Sequence, residues 1–297
     1  MNASLAWAPE VRAAMDAGRP IVALESSVLA QGLPIPANRE ADARMRAAVR
    51  AAGATPAVTA MVRGVLTIGL DGDDLERFLR RDGVMKVAAR DLPVAAAQGR
   101  DGATTVAGSL AACAAAGLDV FATGGIGGVH REPSYDESAD LAELARTSVV
   151  VVCAGAKSIL DLPATLERLD SYGVTLLGYR TDEFPGFFTA STGLSVPARV
   201  DSAAEIAEIL RHARRLGRPG AILVVQPPPA DAALDRAVEQ ALVLARTTGV
   251  RGGAVTPFLL AEVLRATEGR SLRANLSLLE SNARLAGEVA VALSATP

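Results

Sequence analysis

Lys157 is the residue with the most chemical promise, because this lone lysine ends the apolar run Val149-Val150-Val151-Val152-Cys153-Ala154-Gly155-Ala156. Such a run reads as a buried strand, and the amine then emerges at its carboxyl end, where open α/β sheets bind ligands. Burial there would depress the amine's pKa and free its lone pair to attack a carbonyl, as Schiff-base catalysis requires. The competing reading is a lysine that caps the strand end with its ammonium in water. Glu25 interrupts a second apolar run, Pro20 to Val28, and a buried carboxylate has to be protonated or paired. It is either a general acid with a raised pKa or a salt-bridged structural glutamate, and Lys157 is one candidate partner.

Thr123-Gly124-Gly125-Ile126-Gly127-Gly128-Val129-His130 follows another strand pattern, and its glycines let backbone amides approach an anion closely. It has neither the Walker A nor the G-x-G-x-x-G spacing, so a phosphate seat competes with an ordinary glycine-rich turn. His130, one of two histidines, is a phosphate or hydroxyl ligand or a cap. Asp136-Glu137-Ser138-Ala139-Asp140 opens a helix, where acids complement the positive end of the helix dipole. Asp136 and Asp140, four residues apart, could also hold a hard divalent ion through water. Lys86 and the pair Arg90-Asp91 add cations near a further strand end, with a solvated ion pair as the plain alternative. Cys113 and Cys153 lie in apolar stretches without CxxC spacing or neighbouring histidines and read as buried thiols, not zinc ligands. An amine, a buried acid, an anion loop and acids for a divalent ion together fit a phosphosugar.

The elements that must position these groups alternate. Strands are predicted at Pro20 to Val28, Ala57 to Val62, Val65 to Leu70, Met85 to Ala88, Val120 to Thr123, Val149 to Cys153, Val174 to Gly178 and Ala221 to Val225. Helices are predicted from Pro9 to Gly18, Ala37 to Ala52, Thr104 to Ala116, Ala139 to Arg146, Pro163 to Tyr172 and Ser202 to Leu216, the last opened by the capping box Ser202-Ala203-Ala204-Glu205. This order predicts a three-layer α/β/α fold with a mostly parallel or mixed central sheet. After Pro227-Pro228-Pro229 the pattern is helical, with Asp231 to Thr247, Pro257 to Thr267 and Ser271 to Leu293 capping the sheet. No repeat or low-complexity linker divides the chain, so residues 1–297 are expected to form one domain.

Composition supports the same class. Half of the 297 residues are hydrophobic, enough for a large core, and only 3% are aromatic, which suits Ala/Val/Leu helices on a sheet. The 33 acids and 30 bases are mixed, without the basic block that a nucleic-acid partner would require. No signal-peptide pattern and no apolar stretch of about 18 residues is present, so a cytoplasmic location without membrane contact is expected.

The blocks Ala23-Leu24-Glu25-Ser26, Lys86 with Arg90-Asp91-Leu92-Pro93, Gly102 to Ala107, Phe121 to His130, Ser138-Ala139-Asp140-Leu141, Cys153 to Ser158 and Thr256 to Leu260 resemble, in order, the pseudouridine-5′-phosphate glycosidase family, also called indigoidine synthase A-like proteins. The resemblance runs from about Pro20 to about Asn282. It implies reversible cleavage of the C–C glycosidic bond of pseudouridine 5′-phosphate to uracil and ribose 5-phosphate, a divalent cation such as Mn²⁺, and a homotrimer. Carried over by position, Lys157 is the nucleophile that holds the sugar as an imine, and Glu25 is the proton donor. Lys86, Val106, Ser138, Ala139, Asp140, His130 and Asn275 match substrate-site positions, and Asp136 matches the metal aspartate. Two departures stand out. The stretch Arg131 to Tyr135 is shorter than the family pattern and lacks its Gly-Ala-Glu, and Ala254-Val255 replaces a Glu-Ser pair. Another Schiff-base phosphosugar enzyme, such as an aldolase, and a catalytically silent binding protein on the same fold are the competing readings.

Overall fold

The computed structural model describes residues 5–131, 135–158, 160–228, 232–250 and 255–295. Its strands are β1 (Leu5–Trp7), β2 (Ile21–Glu25), β3 (Thr55–Val62), β4 (Val65–Ile68), β5 (Met85–Val87), β6 (Gly102–Thr104), β7 (Val120–Ala122), β8 (Val150–Cys153), β9 (Thr175–Tyr179), β10 (Ala198–Val200) and β11 (Ile222–Val225). They form one sheet in the order β1-β4-β3-β2-β7-β8-β11-β9-β10, with β6 also paired to β3 and β5 to β6. Pairing is parallel except where β3 meets β4 and β6. All eight predicted strands are present. The first stops at Glu25 instead of Val28, because the chain turns there into a π-helical turn over Val28–Gly32.

The helices are α1 (Pro9–Asp16), α2 (Ala37–Ala51), α3 (Gly72–Arg80), α4 (Leu92–Ala97), α5 (Val106–Ala116), α6 (Ala139–Leu144), α7 (Leu162–Ser171), α8 (Ala203–Arg215), α9 (Ala232–Thr247), α10 (Val255–Ala266) and α11 (Arg270–Ser294). Side chains alternate across each strand. In β8, Val150 and Val152 enter a core shared with α2, α8 and α11, while Val151 and Cys153 enter a second core with α5, α6 and α7. β2 divides likewise, with Val22 and Leu24 on one side and Ile21 and Ala23 on the other. Two cores on opposite faces of one sheet make the predicted three layers.

Helix α11 covers β2, β7 and β8 and packs along α2. Gly287 permits that approach, since a Cβ there would lie 2.6 Å from Ala52 Cβ. The C-terminal helices therefore cap the sheet, as expected, and contribute no strand among the described residues. Ser202 accepts a hydrogen bond from Glu205 N–H at 3.2 Å, and the Glu205 carboxylate accepts one from Asp201 N–H, one residue earlier than a capping box requires. No helix among the described residues is long and apolar enough to cross a membrane.

The strand order sets the site. From β2 the chain builds outward to β3 and β4, then returns to lay β7 on the other side of β2 and continues to β8. The order thus reverses between β2 and β7. In a parallel sheet, connections leave a reversal point in opposite directions and open a crevice at the carboxyl ends of its strands. Glu25 ends β2, Thr123 follows β7 and Lys157 follows β8.

Candidate active site

A cavity of about 690 Å³ opens at these strand ends. Among the residues predicted from sequence, Glu25, Lys86, Val106, His130, Ser138, Ala139, Asp140, Lys157 and Asn275 line it, whereas Asp136 does not.

Glu25 is buried, at 8% exposure. Ser27 Oγ donates to its Oε2 at 2.6 Å, and Thr123 Oγ1 donates to its Oε1. Burial raises the carboxyl's pKa above the ordinary 4.5, outweighing the nearby Lys157 charge and the two hydroxyl donors, while Asp140 raises it further. Neither oxygen takes part in an ion pair among the described residues, so the salt-bridged structural reading does not describe this group. Hydroxyls both donate and accept, so this surrounding tolerates either protonation state.

Lys157 lies in a half-buried turn beyond β8, less enclosed than the apolar run before it implied. Its N–H donates to Ile126 O at 3.2 Å, which ties the turn to the glycine loop. Its ammonium has no hydrogen bond or ion pair among the described residues, and its charge acts on Glu25 through space. Gly155 makes the turn possible: it has φ +83°, and a Cβ there would overlap the Pro185 carbonyl oxygen. The crossing segment is fastened by Phe187 N–H to Ala154 O at 2.9 Å and by Ser158 Oγ to Gly186 O.

The glycine loop already holds an anion of its own. Asp140 Oδ2 accepts from Gly127 N–H at 2.8 Å, and Oδ1 accepts from Ala107 N–H, in the first turn of α5, at 2.9 Å. Ile126 N–H donates to Gly155 O. Two amides of the loop, those of Ile126 and Gly127, are thus occupied within the protein, and Asp140 joins the loop to α5. Gly127 is required for this, since a Cβ would collide with Ser138 and Asp140.

The cavity has two chemically distinct ends. Lys86, on β5, is held beside Ala103 of β6, and Thr105 N–H donates to Val87 O at 2.9 Å. Lys86 and Arg90 thus flank the start of α5, where Thr105 caps the helix and helix dipole and cations share one sign. At the other end stand Phe187, Phe188 and Asn275. The two rings meet edge to face at 4.5 Å, and Phe187 adopts φ +62°, unusual for a bulky residue. Asn275 Oδ1 is buried without a hydrogen-bond partner among the described residues, so an acceptor is available to a bound donor.

Asp136 is half-buried outside the cavity lining, and its carbonyl accepts from His130 N–H at 2.9 Å. Ser138, the N-cap of α6, separates it from Asp140 with an extended backbone (φ −68°, ψ 139°), and both Asp140 oxygens are occupied by backbone N–H groups. Among the described residues no three His, Cys, Asp or Glu side chains converge on one point. Burial pushes both thiols up to about 12, which removes thiolate chemistry.

The pattern of the family described as indigoidine synthase A-like protein matches residues 10–292. The chain belongs to this family. A pseudouridine-5′-phosphate glycosidase from Gemmatimonas aurantiaca is 63% identical over 94% of this chain and 93% of its own, and one from Herpetosiphon aurantiacus is 49% identical over 97% and 98%. Among solved structures, the prealnumycin C-glycosynthase AlnA in complex with ribulose 5-phosphate superposes with TM-score 0.90 at 38% identity, covering 98% of this chain and 97% of its own. An indigoidine synthase A-like protein from Thermotoga maritima does so with TM-score 0.90 at 35% identity, covering 99% and 98%.

For this member of the indigoidine synthase A-like family, sequence reasoning missed three parts of the site. The Thr123 hydroxyl stood inside a loop read only for its glycines, Ser27 lay within a predicted strand, and the Phe187-Phe188 pair in a chain with 3% aromatics was a signal left unused. Of the departures from the family pattern, Glu132 to Ser134, Ala254 and the side chain of Val255 lie outside the described residues.

Proposed function

We propose that this family member reversibly cleaves the C1′–C5 bond of pseudouridine 5′-phosphate, giving uracil and ribose 5-phosphate, with Lys157 as nucleophile and Glu25 as acid. The observation that carries the reading is the pairing of a buried Glu25, its pKa raised by burial, with a Lys157 amine free of ion pairs among the described residues, at the crevice between β2, β7 and β8. The glycosidase names of relatives up to 63% identical support it, as does the pentose phosphate bound by the 38% identical synthase.

The leaving atom is a carbon without a lone pair, so protonation of a leaving oxygen, as in ordinary glycosidases, does not apply. Glu25 gives its proton to the ring oxygen as C1′–O4′ breaks, and the Lys157 amine forms a bond to C1′. The proton shed by the bonded amine returns to Glu25, which passes it to C5 of the base; the C1′–C5 electrons then stay with uracil and the lysine nitrogen lone pair closes a protonated C1′=Nζ imine. Water hydrolyses that imine, releasing ribose 5-phosphate and restoring the Lys157 amine and the Glu25 proton. Lys86, Arg90 and the start of α5 hold the phosphate, while Phe187, Phe188 and the open Asn275 acceptor face the base.

Asp136 offers one hard carboxylate, which fits Mn²⁺ or another divalent ion completed by waters and substrate oxygens and is too few for an all-protein cage. The ion would neutralise phosphate charge. Asp136→Ala then weakens Mn²⁺ binding, read from the paramagnetic resonance signal of free Mn²⁺; unchanged binding would remove Asp136 from the metal role. In this reading the enzyme is a cytoplasmic homotrimer, and sedimentation equilibrium tests the assembly.

Incubation with uracil, ribose 5-phosphate and Mn²⁺ yields pseudouridine 5′-phosphate by mass spectrometry. Its absence, with fragmentation of ribose 5-phosphate alone, would point instead to an aldolase.

A further inference from the structure

We infer that Asn282, backed by Gln226, is a positioning residue for Glu25, acting through Thr123 from behind the catalytic crevice. Asn282 is 1% exposed on α11, two turns beyond Asn275 and on the same side of the helix. Its Nδ2 donates to Thr123 O at 2.8 Å and Gly124 O at 3.4 Å, and its Oδ1 accepts from Gln226 Nε2 at 2.7 Å.

The need for this amide follows from the sheet. The pairing of β2 with β7 ends at Leu24 and Ala122, so beyond that point the β7 chain has no ladder neighbour on the Glu25 side. On the other side, Thr123 N–H still reaches Val152 O, and Ala154 N–H reaches Gly124 O. Buried carbonyls left at such an end require donors. The Asn282 amide supplies one to Thr123 O, while Gly124 O, already bonded to Ala154 N–H, takes only a longer second contact from it. The fixed Thr123 carbonyl sets the amide's orientation and Gln226 matches it, because the flipped form would oppose oxygen to oxygen at Thr123 and amino group to amino group at Gln226. The next link is the Thr123 hydroxyl, which donates to Glu25 Oε1. The chain Gln226–Asn282–Thr123–Glu25 therefore runs from the half-buried end of β11 to the acid. Asn282 does not line this cavity but, with Gln226, a smaller one of about 330 Å³ behind it, so it does not meet a substrate held against Glu25.

The inference rests on Glu25 as the acid, and its test separates the two. Infrared difference spectroscopy of the carboxyl C=O stretch, with Glu25→Gln subtracted, follows Glu25 titration in the intact protein without substrate. The other charged or titratable groups that face Glu25 or line its cavity are Lys157, Asp140, Lys86, Arg90, Asp91 and His130, and none of them is changed. The Thr123 bond lowers the Glu25 pKa, so its displacement raises that pKa further. Asn282→Ala and the milder Gln226→Leu are both expected to move the titration to higher pH, in the direction of Thr123→Val. In turnover assays kcat falls about tenfold for Asn282→Ala, the usual scale for losing a group that orients a catalytic side chain, with KM little changed. Asn282→Ala and Gln226→Leu variants that melt earlier but keep the Glu25 titration of the parent would overturn the inference, leaving Asn282 a packing residue. Should the parent enzyme fail to cleave pseudouridine 5′-phosphate, the functional reading falls while the infrared result still decides this one.

Discussion

Glu25 and Asp140 are carboxylates of nearly equal burial, 8% and 7% exposed, in one cavity, yet their surroundings fit them for opposite work. Asp140 meets two fixed backbone N–H groups, which donate and never accept, so it fastens the glycine loop to α5. Glu25 meets two hydroxyls that can reverse, and no backbone donor reaches it among the described residues. The first environment offers only donors and organises structure. The second lets a proton arrive and leave. Burial alone does not distinguish a catalytic acid from a structural one; the kind of hydrogen-bond partner does.

The largest effect expected lies beside this pair, at the amine that Glu25 serves. Lys157→Ala should lower kcat by about 10⁴-fold or more, as loss of a covalent nucleophile does, with the fold intact by circular dichroism. Next, Glu25→Ala should lower kcat by about 10²–10⁴-fold, the range for general acids; retention of full activity would put Glu25 in the same structural class as Asp140.

The pH dependence sharpens the comparison further. The folded Glu25 pKa lies above the ordinary 4.5. Below 4.5 both folded and unfolded chains hold the proton; above it the unfolded chain releases its proton first, so this group's contribution to stability declines as pH rises, until folded Glu25 ionises. Glu25→Gln removes that decline, which urea unfolding across the window measures. For the same reason kcat/KM falls as pH rises through the Glu25 pKa.

Asp140→Ala should act in the opposite sense. Two buried N–H groups lose their acceptor, costing about 2–4 kcal/mol of stability, seen as a lower Tm and a raised KM as the glycine loop drifts. Gly155→Ala should cost more than the roughly 1–3 kcal/mol of a strained φ alone, because at φ +83° its Cβ would also overlap the Pro185 carbonyl oxygen and the turn carrying Lys157 shifts.

Much of this was legible in the sequence, and the physical reasons differ by element. The valine run of β8 and the interrupted run of β2 announced buried strands, and the first charged residue after or within each fell at the crevice. β1, β6 and β10 escaped notice; like β5 and β7, which were found, they are three residues long and too short to display a period of two. By spacing Asp136 and Asp140 were open to a shared divalent ion as well as to a helix-dipole role; Asp140 lines the cavity and Asp136 lies outside that lining. Asp140's true partners are amides contributed by residues 107 and 127. Backbone donors come from conformation and carry no residue-type signal, so no reading of side chains could find them. Thr123 was missed for a related reason: its importance lies in where β7 ends relative to β2, which is a property of register.

The central claim is that Lys157 holds the sugar covalently while Glu25 manages the proton. Ribose 5-phosphate with sodium borohydride should trap a secondary amine on the peptide containing Lys157, identified by mass spectrometry, and the adduct should vanish in Lys157→Ala. Active protein treated in the same way whose Lys157 stays unmodified would contradict the imine and with it the account.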